Sequence, residues 1–253
     1  MIANLSASFV QSVSKMGAAA QFMLHILRVL PGALRRGPLI THQIYNAGVL
    51  SLVIIMTSGF FVGMVIGLQA YDSLSRLRQE DILGAGAALT LIKELGPVVT
   101  VLLFAGRAGT ALASEIGLMR ATDQLSAIEM MAVDPMEYIV APRFLGAIVA
   151  VPLLTAIFDA VGILGAYVIG VELMGVDAGA FWSQMQEYVD PEDIGEGVLK
   201  SAVFGVTVGL VAVFEGYTSE PTAEGVGMAA TRTVVTTAVA VLFLDYIITA
   251  LLL

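Results

Sequence analysis

The sequence predicts an all-α polytopic membrane protein with about five transmembrane helices. Of its 253 residues, 58% are hydrophobic and only 13% are charged, whereas soluble domains are about half apolar and a quarter charged. The apolar residues are concentrated in five long segments, each near or above the ~20 residues that a helix needs to cross a bilayer. Such a chain has too little polar surface to cover its apolar residues in water, so we expect it to fold in lipid.

Composition also excludes several classes of function. There are no cysteines and only two histidines, so neither a disulfide framework nor a metal site built on thiolates or several histidines is expected. The net charge of −9 disfavours nucleic acid as a partner. The chain has no phosphate-binding loop and no catalytic signature of the metalloprotease or hydrolase type. We therefore predict no catalytic residue, no metal and no cofactor, and the chain cannot hydrolyse ATP alone.

Residues 1–45 have the pattern of an interfacial amphipathic helix rather than a span. Apolar residues recur at helical spacing, namely Phe22, Ile26, Val29 and Leu30. Basic residues collect on the other side, namely His25, Arg28, Arg35 and Arg36. A helix of this kind lies in the headgroup layer, and Pro31 and Pro38 are expected to break it into short pieces. The alternative is a basic leader that is merely solvated.

The membrane-spanning body is predicted to occupy residues 46–253. Its five apolar segments fall at about 47–70, 83–113, 138–170, 196–216 and 229–252. Lysine and arginine mark cytoplasmic loops. They are frequent in the N-terminal region and around the 114–137 connection but absent from the 171–195 loop. We therefore expect a cytoplasmic N-terminus and a C-terminus on the opposite side.

Glycines recur every four residues on the first span, at Gly59, Gly63 and Gly67. Gly205 and Gly209 repeat the pattern on the fourth span. Such stripes let two helix backbones approach closely. The pattern fits either packing within the chain or a homodimer seam.

The 114–137 connection is too polar to span and too regularly patterned to be a plain loop. Leu125, Ile128 and Ala132 share one helical face, and Ser126 with Glu129 fits a capping pattern. Asp134 has the position of an N-cap for the next span. The pattern predicts a short cytoplasmic helix, which either contacts a cytoplasmic partner or packs only on its own protein.

Charged residues inside the predicted spans are the third functional signal, since buried charge in a bilayer is costly and is usually paired. They are Lys93, Glu94, Asp159, Lys200 and Asp245. Lys93 and Glu94 are adjacent on a helix and point about 100° apart, so each needs another partner. The signs of the charges suggest that Lys93 pairs with Asp245 or Asp159, and that Glu94 pairs with Lys200. The set fits a gated polar cavity, a group of structural salt bridges, or both.

Residues 93–136 and their neighbours resemble the MlaE (YrbE-type) family of ABC-transporter permeases. The matching motifs include ELGPV, AGRAG, APRFLG and PTAEGVGMAATRTVV. The resemblance covers nearly the whole chain and implies a homodimeric inner-membrane permease that moves phospholipid between the two membranes of Gram-negative bacteria and maintains outer-membrane lipid asymmetry. It implies four kinds of partner, namely the phospholipid, a cytoplasmic ABC ATPase dimer, a STAS-domain accessory protein and a periplasmic hexamer of MCE-domain subunits.

The resemblance also implies two functional sites. Lipid would bind between the end of the first span and the start of the second, at Ile66, Leu74, Leu77 and Leu95. The ATPase would engage a coupling helix at about 115–135, through Glu115, Arg120, Asp123, Leu125, Ile128 and Glu129.

Two other functions fit the residues. A gradient-driven secondary transporter could use Asp159, Glu94 or Asp245 as coupling carboxylates, although the inverted repeats typical of that class are not evident in five unequal spans. A membrane scaffold could use the 114–137 helix to recruit a cytoplasmic protein.

Overall fold

A computed structural model describes the backbone of residues 2–252 and the side chains of residues 14, 15 and 17–252. Across that range the ordered elements are all helical, and no strand occurs. The all-α class predicted from the sequence is therefore confirmed.

The helices follow one another with short connections. The N-terminal pair is α1 (Ile2–Leu34) and α2 (Gly37–Ala47), and α3 (Leu52–Ser75) continues from α2 through a single 3-10 turn. Next come α4 (Leu83–Thr90), α5 (Gly96–Phe104) and α6 (Thr110–Ala121), separated by π-helical turns at Leu91–Leu95 and Ala105–Gly109. The remainder is α7 (Gln124–Met130), α8 (Ala141–Tyr167), α9 (Ala178–Tyr188), α10 (Pro191–Tyr217) and α11 (Ala223–Leu252). π-Helical turns flank α8 at Met136–Val140 and Val168–Leu173.

Six helical segments of the described chain are long and apolar enough to cross a membrane. They are Gly17–Leu34, Gly37–Ser75, Glu80–Ala121, Met136–Leu173, Pro191–Tyr217 and Ala223–Leu252. The last five contain the five predicted spans, and every one extends beyond its predicted bounds. The first lies in α1, which the amphipathic pattern assigns to the interface.

The amphipathic face predicted for α1 packs on the protein. Ile26 is fully buried, and the ring of Phe22 contacts those of Phe214 and Tyr217 at the end of α10, with centroid distances of 5.5 and 5.4 Å. The predicted break at Pro31 is wrong, because α1 runs through it to Leu34. Pro31 is exposed, so its ring points away from the helices that α1 packs against. Pro38 stands in the first turn of α2, where a proline is tolerated.

Helix α8 is the centre of the bundle, and glycines bring its neighbours close on two sides. Gly59, Gly63 and Gly67 of α3 face Phe158, Gly162 and Ala166 of α8, and a Cβ at Gly63 would overlap the Gly162 carbonyl. Gly205 and Gly209 of α10 face Ala147 and Phe144 on α8. Both stripes are therefore used for packing within the chain, so the homodimer-seam alternative does not apply to them.

The bundle has two distinct ends. At one end α9 covers α4, with Phe181 fully buried against Leu83 and in edge contact with Tyr167. At the other end α7 and the start of α8 pack beside α1 and the end of α10, around buried Ile116, Leu125 and Val213. The first end carries the 71–82 loop, and the second carries the 114–137 connection.

Candidate functional site: a charged network beside an apolar groove

The most buried charge in the described chain is Lys200 of α10, whose residue exposure is 1%. Its ammonium donates to Glu94 Oε1 at 3.0 Å and to Thr249 Oγ1 at 2.7 Å, and lies 3.6 Å from Asp245 Oδ1. Glu94 belongs to the second span, and Thr249 and Asp245 belong to α11. The predicted pairing of Glu94 with Lys200 is therefore confirmed, and the network ties three helices together.

Proline explains a further bond in this network. Lys200 Nζ also donates to the main-chain carbonyl of Lys93 at 2.7 Å. Pro97 stands four residues after Lys93 and has no N–H to give to that carbonyl. The helix widens here into the π turn Leu91–Leu95, a distortion that is common at functional sites. The Lys93 carbonyl therefore lacks the donor that an α-helix would supply four residues later, and α10 supplies the cation that binds it.

The side chain of Lys93 has different partners from those predicted. It bridges Asp193 and Glu196 near the start of α10, both at 2.9 Å. The predicted pairing with Asp245 or Asp159 is wrong, because Lys93 points toward α10 while Asp245 faces Lys200. Sequence reasoning missed Asp193 and Glu196 because they were assigned to a loop and to the edge of a span. The sequence did contain a signal for them, since Asp190 and Asp193 form a capping box, with Pro191 in the first turn, that starts the helix there.

Asp159 of α8 stands apart from both networks. Its Oδ1 is buried without a hydrogen-bond partner among the described residues, and it lies where a Cβ at position 96 would stand. Gly96 is therefore needed for this close approach. Asp159 also lines a cavity of about 240 Å³ between α8, α10 and the π turn of the second span.

An apolar groove lies between the first two spans, close to the charged network. Its volume is about 370 Å³, and Ile66, Leu74 and Leu95 line it together with Gln69, Ser73 and Thr90. Leu74 also borders a neighbouring hollow of about 240 Å³ beside Tyr188. Three of the four residues predicted to contact lipid are thus brought to one surface. Leu77 does not line the groove and is 67% exposed.

The residues predicted to engage an ATPase divide into two groups. One group makes contacts within the chain. Leu125 is 7% exposed, Glu115 pairs with Arg143 at 3.2 Å, and Arg120 donates to the Tyr217 carbonyl. Ile128 packs beside Leu125, whereas Asp123 and Glu129 are exposed.

The local helix geometry also differs from its prediction. Helix α7 begins after Asp123, whose φ is +57°, and the predicted capping pattern is not formed because Ser126 lies within the helix. Ala132 lies outside it, with φ +58°. Asp134 does cap the next helix by accepting from the Met136 N–H at 2.8 Å.

No metal centre is built by the residues that the structure describes, because no three His, Cys, Asp or Glu side chains are grouped for one.

Comparison with known proteins gives a consistent result. The family model described as Permease MlaE matches residues 40–251. The chain is 46% identical to the intermembrane phospholipid transport system permease protein MlaE of Haemophilus influenzae, over 99% of this chain and 97% of that one. It is 36% identical to a probable ABC transporter permease of Rickettsia prowazekii, over 84% and 82% of the two chains. A probable ABC transporter permease of Synechocystis is 32% identical, over 98% and 93%.

Proposed function

The chain belongs to the MlaE family of permeases, and we propose that it is the membrane-spanning subunit of an ABC transporter that moves phospholipid between the inner and outer membranes and maintains outer-membrane lipid asymmetry. It is a multi-pass protein of the inner membrane and a permease rather than an enzyme. ATP is hydrolysed in a partner chain, because this chain has no phosphate-binding loop.

The groove lined by Ile66, Leu74 and Leu95 is the observation that carries this proposal. At about 370 Å³ it falls within the range of small-ligand sites and would hold part of an acyl chain. Gln69, Ser73 and Thr90 place polar groups on the same surface. An apolar wall with a few polar groups fits an amphipathic ligand such as a phospholipid.

The partners are assigned to the two ends of the bundle. An ATPase dimer, with its STAS-domain accessory protein, engages the end that carries α7, where Met130 and Met131 are 84% and 68% exposed. An MCE-domain hexamer sits above the end that carries α9. Two copies of the chain face each other, so that the two grooves open toward a shared centre. The N-terminus is cytoplasmic and the C-terminus periplasmic.

The charged network argues against a gradient-driven secondary transporter. Two of the three candidate coupling carboxylates, Glu94 and Asp245, lie beside the ammonium of Lys200, which provides a structural reason for their position within the spans. A pure scaffold has no need of an apolar groove between its first two spans.

The test compares two leucines that lie three residues apart. Leu74→Trp places a large ring in the groove, whereas Leu77→Trp adds the same ring on an exposed surface outside it. We expect Leu74→Trp to slow ATP-dependent transfer of a fluorescent phospholipid, measured in liposomes that contain the complete transporter. The Leu77→Trp variant should retain transfer.

Equal transfer in both variants would show that the groove is not the lipid site. If the complete transporter moves no phospholipid even without a substitution, the proposed function itself is wrong.

A further inference from the structure

A second cavity lies between the same two spans, nearer to the end that carries α7. Its volume is about 240 Å³. Gln43, Asn46 and Leu50 line it from the first span, and Arg107, Ala111 and Glu115 line it from the second. Arg107 follows Leu95 by twelve residues, which corresponds to ~18 Å along a helix. The cavity and the apolar groove therefore lie at different depths in the membrane.

Arg107 presents unused hydrogen-bond donors to this cavity. Its Nη1 donates to the Asn46 carbonyl at 2.8 Å and to Ser51 Oγ at 3.1 Å. A guanidinium carries five N–H donors in a fixed plane. Among the described residues no acceptor contacts Nε or Nη2, and no carboxylate lies within salt-bridge distance of Arg107. One edge of the guanidinium is thus fixed to the first span while the other remains available.

The positive charge of Arg107 is not paired with a carboxylate of the described residues. Glu115 is its acidic lining residue, and Arg143 pairs with it at 3.2 Å. Arg107 therefore has no anion of its own in a segment long and apolar enough to cross the membrane. Arginine in such a position faces a cavity or a pathway, and its planar fork matches the oxygens of a phosphate.

We infer that the cavity around Arg107 binds the phosphate of a phospholipid head group. It would be a second lipid site, nearer than the groove to the end of the bundle that carries α7. The inference rests on the proposed function and extends it, because it places a head-group contact on the path between the two membrane surfaces. The Asn46 side-chain amide and Gln43 provide further polar groups on the same wall.

Site-specific photocrosslinking in the complete transporter tests this inference. The photoreactive residue p-benzoylphenylalanine replaces Ala111 in the cavity, the exposed Gln69 in the groove, or Leu118, which is 56% exposed and lines neither. Phospholipids carry a radioactive phosphate. We expect labelling at Ala111 to exceed that at Leu118. Arg107→Gln should lower it about tenfold, the factor that one charge-assisted hydrogen bond is worth, and Arg107→Lys should lower it less.

A second variant leaves Arg107 and its bonds to the first span intact. Gln43→Glu is isosteric and adds a negative charge to the cavity, so it should also reduce labelling at Ala111. Thr41→Glu adds the same charge at an exposed position outside the cavity and should not reduce it.

Three results would overturn the inference. Labelling at Ala111 could equal that at Leu118, or persist in both Arg107→Gln and Gln43→Glu. Alternatively, inorganic phosphate could bind in an Arg107-dependent way while lipid labelling at Ala111 stays no higher than at Leu118, which would assign the cavity to a free anion. Strong labelling at Gln69 in any of these cases would leave the proposed function standing, whereas loss of labelling at both Gln69 and Ala111 would contradict both proposals.

Discussion

At the scale of single residues, Lys200 is bonded more extensively than any other charged group of the described chain. It contacts carboxylates from two helices, a threonine hydroxyl and a main-chain carbonyl. Its side chain is 2% exposed, while that of Glu94 is 43% exposed. The cation is therefore the buried member of the pair, and its removal leaves Glu94 and Asp245 close together without a counter-charge.

We predict that Lys200→Met destabilises the protein by about 3 kcal/mol, the order expected when one member of a buried ion pair is removed. The measurement is the unfolding temperature of the purified protein in detergent. The triple variant that adds Glu94→Gln and Asp245→Asn should recover most of the loss, because no unpaired charge remains. Lys15→Met, at an exposed lysine, is the matched control and should change nothing.

A charge exchange should fare worse than the triple variant. Glu94→Lys combined with Lys200→Glu places a carboxylate against Asp245 and against the Lys93 carbonyl. Repulsion on both sides should keep this protein as unstable as Lys200→Met. If the exchange restores full stability, the contacts to Asp245 and to the carbonyl contribute little.

At the scale of elements, the bundle depends on close backbone contact between α3 and α8. We predict that Gly63→Ala destabilises the protein by about 1–3 kcal/mol, the cost of overpacking a tight interface, because the added methyl overlaps the Gly162 carbonyl. Gly106→Ala is the control, since a Cβ there meets nothing within 4 Å. Thermal unfolding of both variants provides the comparison, and equal stability would show that α3 can move away from α8 at no cost.

Helix α7 has one face for its own protein and one that is exposed. We predict that Met130→Asp combined with Met131→Asp releases the ATPase while the permease keeps its unfolding temperature, because both side chains are exposed. Leu125→Asp should instead lower the unfolding temperature, since it buries a charge in the cluster around Ile116. Copurification of the ATPase with each variant is the measurement. If the double variant still retains the ATPase, the ATPase contacts another part of the permease.

At the scale of the whole molecule, we predict that a reporter fused after Leu253 reads as periplasmic and one inserted within 120–130 as cytoplasmic. The reason is the excess of lysine and arginine in the N-terminal region and around 114–137. In the structure α11 starts beside Gly117 and ends near Lys200, so its two ends lie at opposite ends of the bundle. Reporters that read alike at both positions would contradict this layout.

The elements were more predictable from sequence than their partners. Apolar length identified all five predicted spans because a bilayer sets a minimum run of apolar residues, and helical spacing correctly identified the face of α1 that holds Ile26. Periodicity could not give the partners of Lys93, because they depend on how α10 meets the second span. The glycine stripes predicted that two helix backbones pack closely, but they did not indicate that α8 is the partner of both α3 and α10.

The bond from Lys200 to the Lys93 carbonyl has a consequence for how the sequence can evolve. Side-chain partners can be lost by one codon change, but a main-chain acceptor persists whichever amino acid occupies position 93. That carbonyl lacks its helical donor because residue 97 is a proline. Substitutions at Pro97 and at Lys200, 103 positions later, are therefore expected to be coupled in evolution. A substitution that restored an N–H at position 97 would let the helix itself satisfy the carbonyl. Lys200 would then contribute one hydrogen bond less, and selection to keep it would weaken accordingly.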